Sequence, residues 1–295
     1  MIAKTHAACQ NFGCDAQTAD HWVRRHVRAG GLHCDYLVVD ELTQMNAALW
    51  CDLSVASMKG VKLIMSGDWG QFGAIMDSYA GVPVPRDALE CSDMLRQLVG
   101  SNRFRLTVNR RSDPAIFDYI TSLRPGEEGE RDYDDALAEA RRLFPVTRQP
   151  ADWTLTISHR RRVAVNAWRN EALKPEGAVR FAYERVGKAV ANEPQSMWLW
   201  PGLTLIGAGA RVTKGVLCTV AAVSENEVQL STGVKLTAEQ VVRQTRLAHA
   251  LTYASVQGLT LPGRVRLECD SPNVRLRHLY VGCSRATRHD LLEVA

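Results

Sequence analysis

Tyr36-Leu37-Val38-Val39-Asp40-Glu41 and Val61-Lys62-Leu63-Ile64-Met65-Ser66-Gly67-Asp68 are two short, nearly continuous apolar runs, each ending in acidic or Gly–Asp punctuation. Continuous rather than alternating apolar character is what a strand buried on both faces requires. A helix-length segment, residues 46–58, lies between them. The spacing therefore predicts a βαβ unit in a parallel α/β sheet. Ligands of such sheets bind beyond the carboxyl ends of the strands. Asp40, Glu41, Gly67 and Asp68 fall at such ends, which favours chemistry over packing for these four.

Outward from this unit the pattern changes several times. Residues 77–87 contain Gly81, Pro83 and Pro85 and read as a linker. Residues 126–142 run from acidic (Glu127, Glu128, Glu130, Asp132, Asp134, Asp135, Glu139) to basic (Arg141, Arg142), as a solvated helix or loop does. Residues 153–158 read as a strand, and residues 159–173 as an amphipathic helix with Val163, Ala167 and Leu173 on its apolar side. From about residue 176 to 244, Gly202, Gly207, Gly209, Gly215 and Gly233 separate short β-rich runs. That rhythm predicts a small antiparallel barrel. Residues 265–267 and 279–281 are then expected to return to parallel strands. No internal repeat or low-complexity segment occurs.

Composition sets the frame. The chain has 295 residues, 46% apolar and 23% charged, enough for one large domain or two of ordinary size. A formal charge of +4 is too small to identify a nucleic-acid partner. Local arginine groups are more informative: Arg24, Arg25 and Arg28; Arg103 and Arg105; Arg110 and Arg111; Arg160, Arg161 and Arg162. Each suits phosphates, and each suits a solvated helix face equally well. The eight cysteines (Cys9, Cys14, Cys34, Cys51, Cys91, Cys218, Cys269, Cys283) form no CxxC pair and no Cys/His spacing. Reduced, structural thiols are expected, with neither a zinc site nor a disulfide framework. No apolar run approaches the roughly 20 residues of a membrane span, and the first residues lack the apolar core of a signal peptide. A soluble intracellular protein without a membrane partner is expected.

The chemistry-bearing residues sit on the opening βαβ unit. An aspartate at the end of a buried strand, here Asp40, can hold Mg²⁺ through its water shell, and the adjacent Glu41 can orient or deprotonate an attacking water. Gly67-Asp68-Trp69-Gly70-Gln71 follows at the end of the next strand. An amide there, Gln71, can sense a γ-phosphate or the attacking water.

With these, the chain resembles the superfamily 1 helicases. That family carries a DE motif, a GDxxQ motif, an xNYRS-like motif, a TxxxxQG motif and a YVxxSRA motif, in that order. The chain has Asp40-Glu41, then Gly67 to Gln71, then Leu106-Thr107-Val108-Asn109-Arg110-Arg111-Ser112. Thr252-Tyr253-Ala254-Ser255-Val256-Gln257-Gly258 and Leu279-Tyr280-Val281-Gly282-Cys283-Ser284-Arg285-Ala286 follow. Ala3-Lys4-Thr5-His6-Ala7-Ala8 is similar to the family's strand-end motif that touches the nucleic-acid backbone. Six motifs in order span nearly the whole chain, although any one alone is weak.

The resemblance implies an α/β fold: two RecA-like P-loop NTPase-type domains, 1–106 and 107–295, the first lacking its opening strand and phosphate loop. The β-rich insertion at 176–244 lies where the RecD-like, 5′-to-3′ branch carries a small barrel. It implies ATP and Mg²⁺ as cofactors and a single-stranded nucleic acid as partner, DNA favoured over RNA. By the same likeness Asp40, Glu41, Gln71, Arg111 and Arg285 act in catalysis, and Asp40, Gly67, Asp68, Gln257 and Gly258 at the nucleotide. Arg111 and Arg285 match arginines that reach the γ-phosphate from the second domain. Thr5, His6 and Thr252 match backbone contacts, while Trp69 and Phe72 are aromatic candidates for base stacking or for packing. His21, Trp22, Arg24 and Arg25 form either a strand-facing helix or an exposed one. Ala254 and Val256 stand where the family usually carries polar residues.

One part of the motor has no counterpart. No GxxxxGK[ST] occurs in the 295 residues, and Gly207-Ala208-Gly209-Ala210-Arg211-Val212-Thr213-Lys214-Gly215 lacks the GK[ST] ending. The expectation is a helicase motor whose phosphate loop comes from a missing N-terminal segment or a partner. The rival expectations are a non-catalytic single-strand-binding remnant and a replicative helicase of a positive-strand RNA virus.

Overall fold

The computed structural model describes every residue except 14, 76, 125–129, 186 and 189–191. Cys14, Glu127 and Glu128 therefore lie outside the described residues. The chain divides into two compact units: Met1–Arg110 with Gln257–Leu259, and Arg111–Val256 with Thr260–Ala295.

The first unit is built on a parallel sheet in the order β2-β1-β3-β4, from β1 (Ile2–Ala3), β2 (Gln17–Thr18), β3 (Tyr36–Asp40) and β4 (Lys62–Met65). Helix α1 (His6–Gln10) follows β1, α2 (Ala19–Trp22) runs into a π-helical stretch Val23–Arg28, and α3 (Ala47–Met58) joins β3 to β4. The expected βαβ unit is thus present, with Val38 paired to Ile64 and Val39 to Met65. Asn46 starts α3 by accepting the Leu49 N–H at 3.1 Å, satisfying one of the donors that a helix start leaves open. The core gathers Ile2, Leu37 and Val39 of the sheet with Trp22, Val23 and Val27, and with Leu49, Trp50 and Leu53 of α3.

The stretch expected to be a linker is ordered. Hairpin strands β5 (Ser78–Tyr79) and β6 (Val82–Pro83) precede α4 (Arg86–Glu90) and α5 (Asp93–Leu98). The Asp77 carboxylate accepts the Ala47 N–H at 3.0 Å, tying this segment to the start of α3. The prolines mislead because Pro83 ends a two-residue strand, where a missing N–H costs nothing.

The second unit begins with α6 (Pro114–Ser122) and α7 (Tyr133–Leu143). Asp132 caps α7 through the Asp134 and Asp135 N–H groups, so residues 133–142 of the acidic-to-basic run are helical, with Asp134 and Asp135 in the first turn and Arg141 and Arg142 in the last, matched to the macrodipole. Strand β7 (Trp153–Thr156) and α8 (His159–Leu173) follow. The expected face of α8 is wrong. Ala167 and Leu173 are exposed, and the buried side is Arg162, Val165, Asn166 and Asn170. Asparagine can be buried there because Asn166 donates to the carbonyls of Leu247 and Ala250 and accepts the Ala250 N–H.

The β-rich stretch has β8 (Val179–Phe181) paired with β9 (Met197–Leu199), then β10 (Thr204–Gly207), β11 (Leu217–Val223), β12 (Glu227–Leu230), β13 (Lys235–Thr237), α9 (Ala238–Gln244) and β14 (Thr245–Leu247). The last five strands form an antiparallel sheet ordered β13-β12-β11-β10-β14 around its own apolar core. The chain then returns to a parallel sheet ordered β15-β7-β16-β17, with β15 (Ala250–Thr252), β16 (Val265–Leu267) and β17 (Leu292–Val294). Residues 279–281, expected as a strand, belong instead to α10 (Leu276–Cys283). Leu276, Leu279, Tyr280 and Cys283 recur at helical spacing and are buried together. The described cysteines are free thiols. Among the described residues no helix is long and apolar enough to cross a membrane.

Candidate functional site

The residues expected to carry chemistry in the first unit meet at the carboxyl ends of β1, β3 and β4. Ala3 is paired with Asp40. Beyond the strands the ladder continues: the Ser66 N–H donates to the Val39 carbonyl at 2.8 Å and the Leu42 N–H to the Ser66 carbonyl at 3.0 Å. Asp40, Glu41, Ser66 and Gly67 therefore lie side by side.

The backbone is specialised at two of these positions. Glu41 adopts φ 52° and ψ 41°, a left-handed conformation unfavourable for a residue with a side chain. Its carboxylate accepts from Gln44 Nε2 at 2.9 Å, and Gln44 is itself buried. The second is Gly67, where an added Cβ would stand 2.8 Å from Leu42 Cγ and 3.3 Å from the Leu42 nitrogen. A glycine is required there for the two strand ends to approach.

The GDxxQ turn is held by Asp68, whose carboxylate accepts the Gly70 N–H at 2.9 Å and whose carbonyl accepts the Gln71 N–H at 3.0 Å. Among the described residues Gln71 Oε1 is buried without a hydrogen-bond partner, as is the hydroxyl of Thr43 on the neighbouring turn. Trp69 packs half-buried against the core. The Phe72 carbonyl accepts from Gln257 Nε2 at 3.1 Å. Gly258, at φ +78°, lies against Ala8, and its carbonyl accepts from Asn11. Gln257 and Gly258 thus belong structurally to the first unit.

Thr5 caps α1, accepting the Ala8 N–H at 3.2 Å, and His6 beside it is exposed. His6, His21 and Arg24 line one open cleft of about 510 Å³ with Gln17, Thr18 and Asp20. Of the group around residue 22, Trp22 is buried in the core and only its polar neighbours face solvent.

In the second unit Thr252 ends β15 and is buried, its hydroxyl accepting the Ser255 N–H at 3.3 Å. Arg111 is exposed at the start of that unit. Arg285 is almost wholly buried after α10, its guanidinium donating to the carbonyls of Val281 and Val256 and to Ser284 Oγ. The arginine trio on α8 is not one patch. Arg161 forms a two-point pair with Glu268, Arg162 is buried, and Arg160 is exposed with no ion pair or hydrogen bond of its side chain among the described residues. Gly207 and Gly209 are required by close packing against residues 212–213 and Gln244, not by a phosphate. Sequence reasoning missed Gln44 and Leu42, the residues that shape Glu41 and Gly67. Both stand within three positions of the DE motif, but nothing in their type marks them.

No protein-family model matches the chain, and no protein of curated function matches it in sequence. Solved structures do match in fold. The Pif1 helicase of Candida albicans superposes with a TM-score of 0.65 at 17% identity, covering 99% of this chain and 83% of that one. Bacteroides Pif1 bound to single-stranded DNA gives 0.61 at 15%, covering 99% and 81%. Bacteroides Pif1 in complex with ADP-AlF3 and single-stranded DNA gives 0.60 at 15%, with the same coverage. At these identities the likeness concerns architecture: the chain is mixed α/β, with parallel sheets matching the RecA-like domains of helicases.

Proposed function

We propose that this chain is the part of a superfamily 1 helicase motor that reads the γ-phosphate and grips the strand, of the 5′-to-3′, RecD-like branch, with single-stranded DNA preferred over RNA. One observation supports this above the others: Asp40, Glu41 and Gly67 adjoin at neighbouring strand ends, with the Glu41 carboxylate held by Gln44. The β-rich sheet inserted in the second unit supports the branch.

In this reading Asp40 would hold Mg²⁺, which would supply positive charge at the nucleotide phosphates. Mg²⁺ takes one or two carboxylates together with nucleotide phosphates. Among the described residues no His/Cys/Asp/Glu cluster offers an all-protein cage, so the single carboxylate of Asp40 suits a shared site. Glu41 orients the attacking water, and Gln71 reads the γ-phosphate through the Oε1 that has no partner among the described residues. Arg111 and Arg285 supply charge to the transferring phosphoryl group, and Gln257 with Gly258 couples nucleotide state to strand grip. Thr5, His6 and Thr252 contact the strand backbone, and Phe72 or Trp69 stacks on a base. The cradle for the β- and γ-phosphates comes from a segment outside the 295 residues, since none of them forms GxxxxGK[ST]. That same observation favours a second reading, a binding module without turnover.

Fluorescence anisotropy with labelled oligo-dT and oligo-rU tests the strand half. Binding to DNA tighter than to RNA is expected, weakening with salt by a log–log slope of about 0.7 per phosphate contacted. If neither oligonucleotide binds at low salt, the proposal fails.

A further inference from the structure

A buried arginine needs its charge offset. The guanidinium stays protonated in proteins and carries only donors. Out of water and without a counter-charge it is strongly unfavourable, so buried charges are paired or their donors taken up. Among the described residues of the second unit, Arg162, Arg246 and Arg285 are less than a tenth exposed. Two of them are satisfied. Arg285 donates to the Val281 and Val256 carbonyls and to Ser284 Oγ. Arg246, on β14, donates to the carbonyls of Asn192, Val242, Arg243 and Thr245.

Arg162 is not satisfied. It lies on the buried side of α8, 4% exposed. Its Nε and Nη2 are buried and have no hydrogen-bond partner among the described residues. These two nitrogens form one edge of the guanidinium, whose parallel N–H groups match two oxygens of an oxyanion. Other arginines of this unit use that edge on carboxylates: Arg161 on Glu268 at 2.7 and 2.6 Å, Arg288 on Asp290 at 2.9 and 2.7 Å. The charged group acting on Arg162 is instead a second cation. Burial, with Arg246 beside it, pushes the guanidinium down to about 10, which leaves it charged at neutral pH.

The surroundings are polar as well. Arg246 grips the Asn192 carbonyl through Nε and Nη2 at 3.2 and 2.8 Å, which brings the segment before β9 to β14. On that segment Asn192 Oδ1 and both ends of the Gln195 amide are buried without partners among the described residues. One helical turn along α8 the contrast is plain: Asn166 is fully used by the Leu247 carbonyl and by both backbone groups of Ala250. Buried polar groups are generally partnered by protein, water or an ion. Water could take the Arg162 donors, but it brings no charge to offset two neighbouring cations.

We infer that the seam between α8 and β14 binds one small oxyanion of the phosphate type on the Nε–Nη2 edge of Arg162. Arg246, whose donors are taken by carbonyls, contributes charge alone. Burial of the Arg162 edge selects a free ion over the phosphodiester of a strand, which cannot be enclosed. The ion ties α8, which packs on β7 and β15 of the parallel sheet, to β14 of the antiparallel one. This inference stands apart from the function proposed above.

The test is thermal unfolding of the full chain at pH 7, with inorganic phosphate replacing chloride at constant ionic strength. The midpoint should rise by about 3–5 °C for each tenfold increase in phosphate above its dissociation constant. Arg162→Met keeps a long side chain and removes the charge. Its midpoint in chloride should equal or exceed that of the unaltered chain, because no uncompensated cation is buried. Its response to phosphate should shrink to the general stabilisation that this salt gives folded proteins. Arg161→Met, at the exposed neighbour, should respond as the unaltered chain does. An equal phosphate response in Arg162→Met and the unaltered chain overturns the inference, as does a response that Arg161→Met also loses. Destabilisation of Arg162→Met in chloride overturns it too, since protein groups would then already offset the charge. So does an Arg162-dependent rise on adding oligo-dT without phosphate, in favour of a strand contact.

Discussion

Single residues show where burial and chemistry conflict. Burial, aided by nearby Arg169, pushes the His249 imidazole down to about 4. Its ring stacks on Trp200, and its Nε2 is buried without a partner among the described residues. A histidine neutral in the fold and free to protonate at about 6.5 when unfolded stabilises fully above that pH. That stability is lost as pH falls from about 6.5 toward about 4. At pH 5 the loss should reach about 2 kcal/mol. Urea denaturation at pH 7 and pH 5 should show it, and His249→Phe, which keeps a ring against Trp200, should flatten the difference. An equal pH dependence in the variant would count against the assignment. Glu293 behaves oppositely in cause. Burial alone would raise its carboxyl, but hydrogen bonds from Thr147 and Arg266 outweigh it and hold it below the usual range.

At the scale of elements, the site depends on how closely β3 and β4 approach at their carboxyl ends. Gly67→Ala puts a methyl 2.8 Å from Leu42 Cγ. Leu42 is buried in the core and cannot move freely. Overpacking of this kind costs about 1–3 kcal/mol, and equilibrium unfolding should register it; no loss would mean the turn relaxes. The same scale explains which elements could be read in advance. Two continuous apolar runs around a capped helix were legible because each carries its own period and punctuation. The buried face of α8 was not, because Asn166 and Asn170 are inside only where β14, β15 and β9 offer partners. A three-residue apolar run such as 279–281 suits a strand or a helix. The wider spacing of Leu276, Leu279, Tyr280 and Cys283 decides it.

At the scale of the whole molecule, the 295 residues contain acidic, amide and arginine candidates for nucleotide chemistry and no loop to cradle the phosphates. The purified chain alone should therefore release phosphate from ATP at background rate, with or without single-stranded DNA. Robust Mg²⁺-dependent, strand-stimulated release would refute this.

By itself the sequence determined the parallel α/β character, the glycine-punctuated β-rich stretch and the order of the six motifs. These are local properties, written in period, turn chemistry and short spacing. Only the tertiary structure decided that Gln257 and Gly258 pack in the first unit and that Gln44 holds Glu41. Each of these depends on contacts between positions whose residue types do not announce one another.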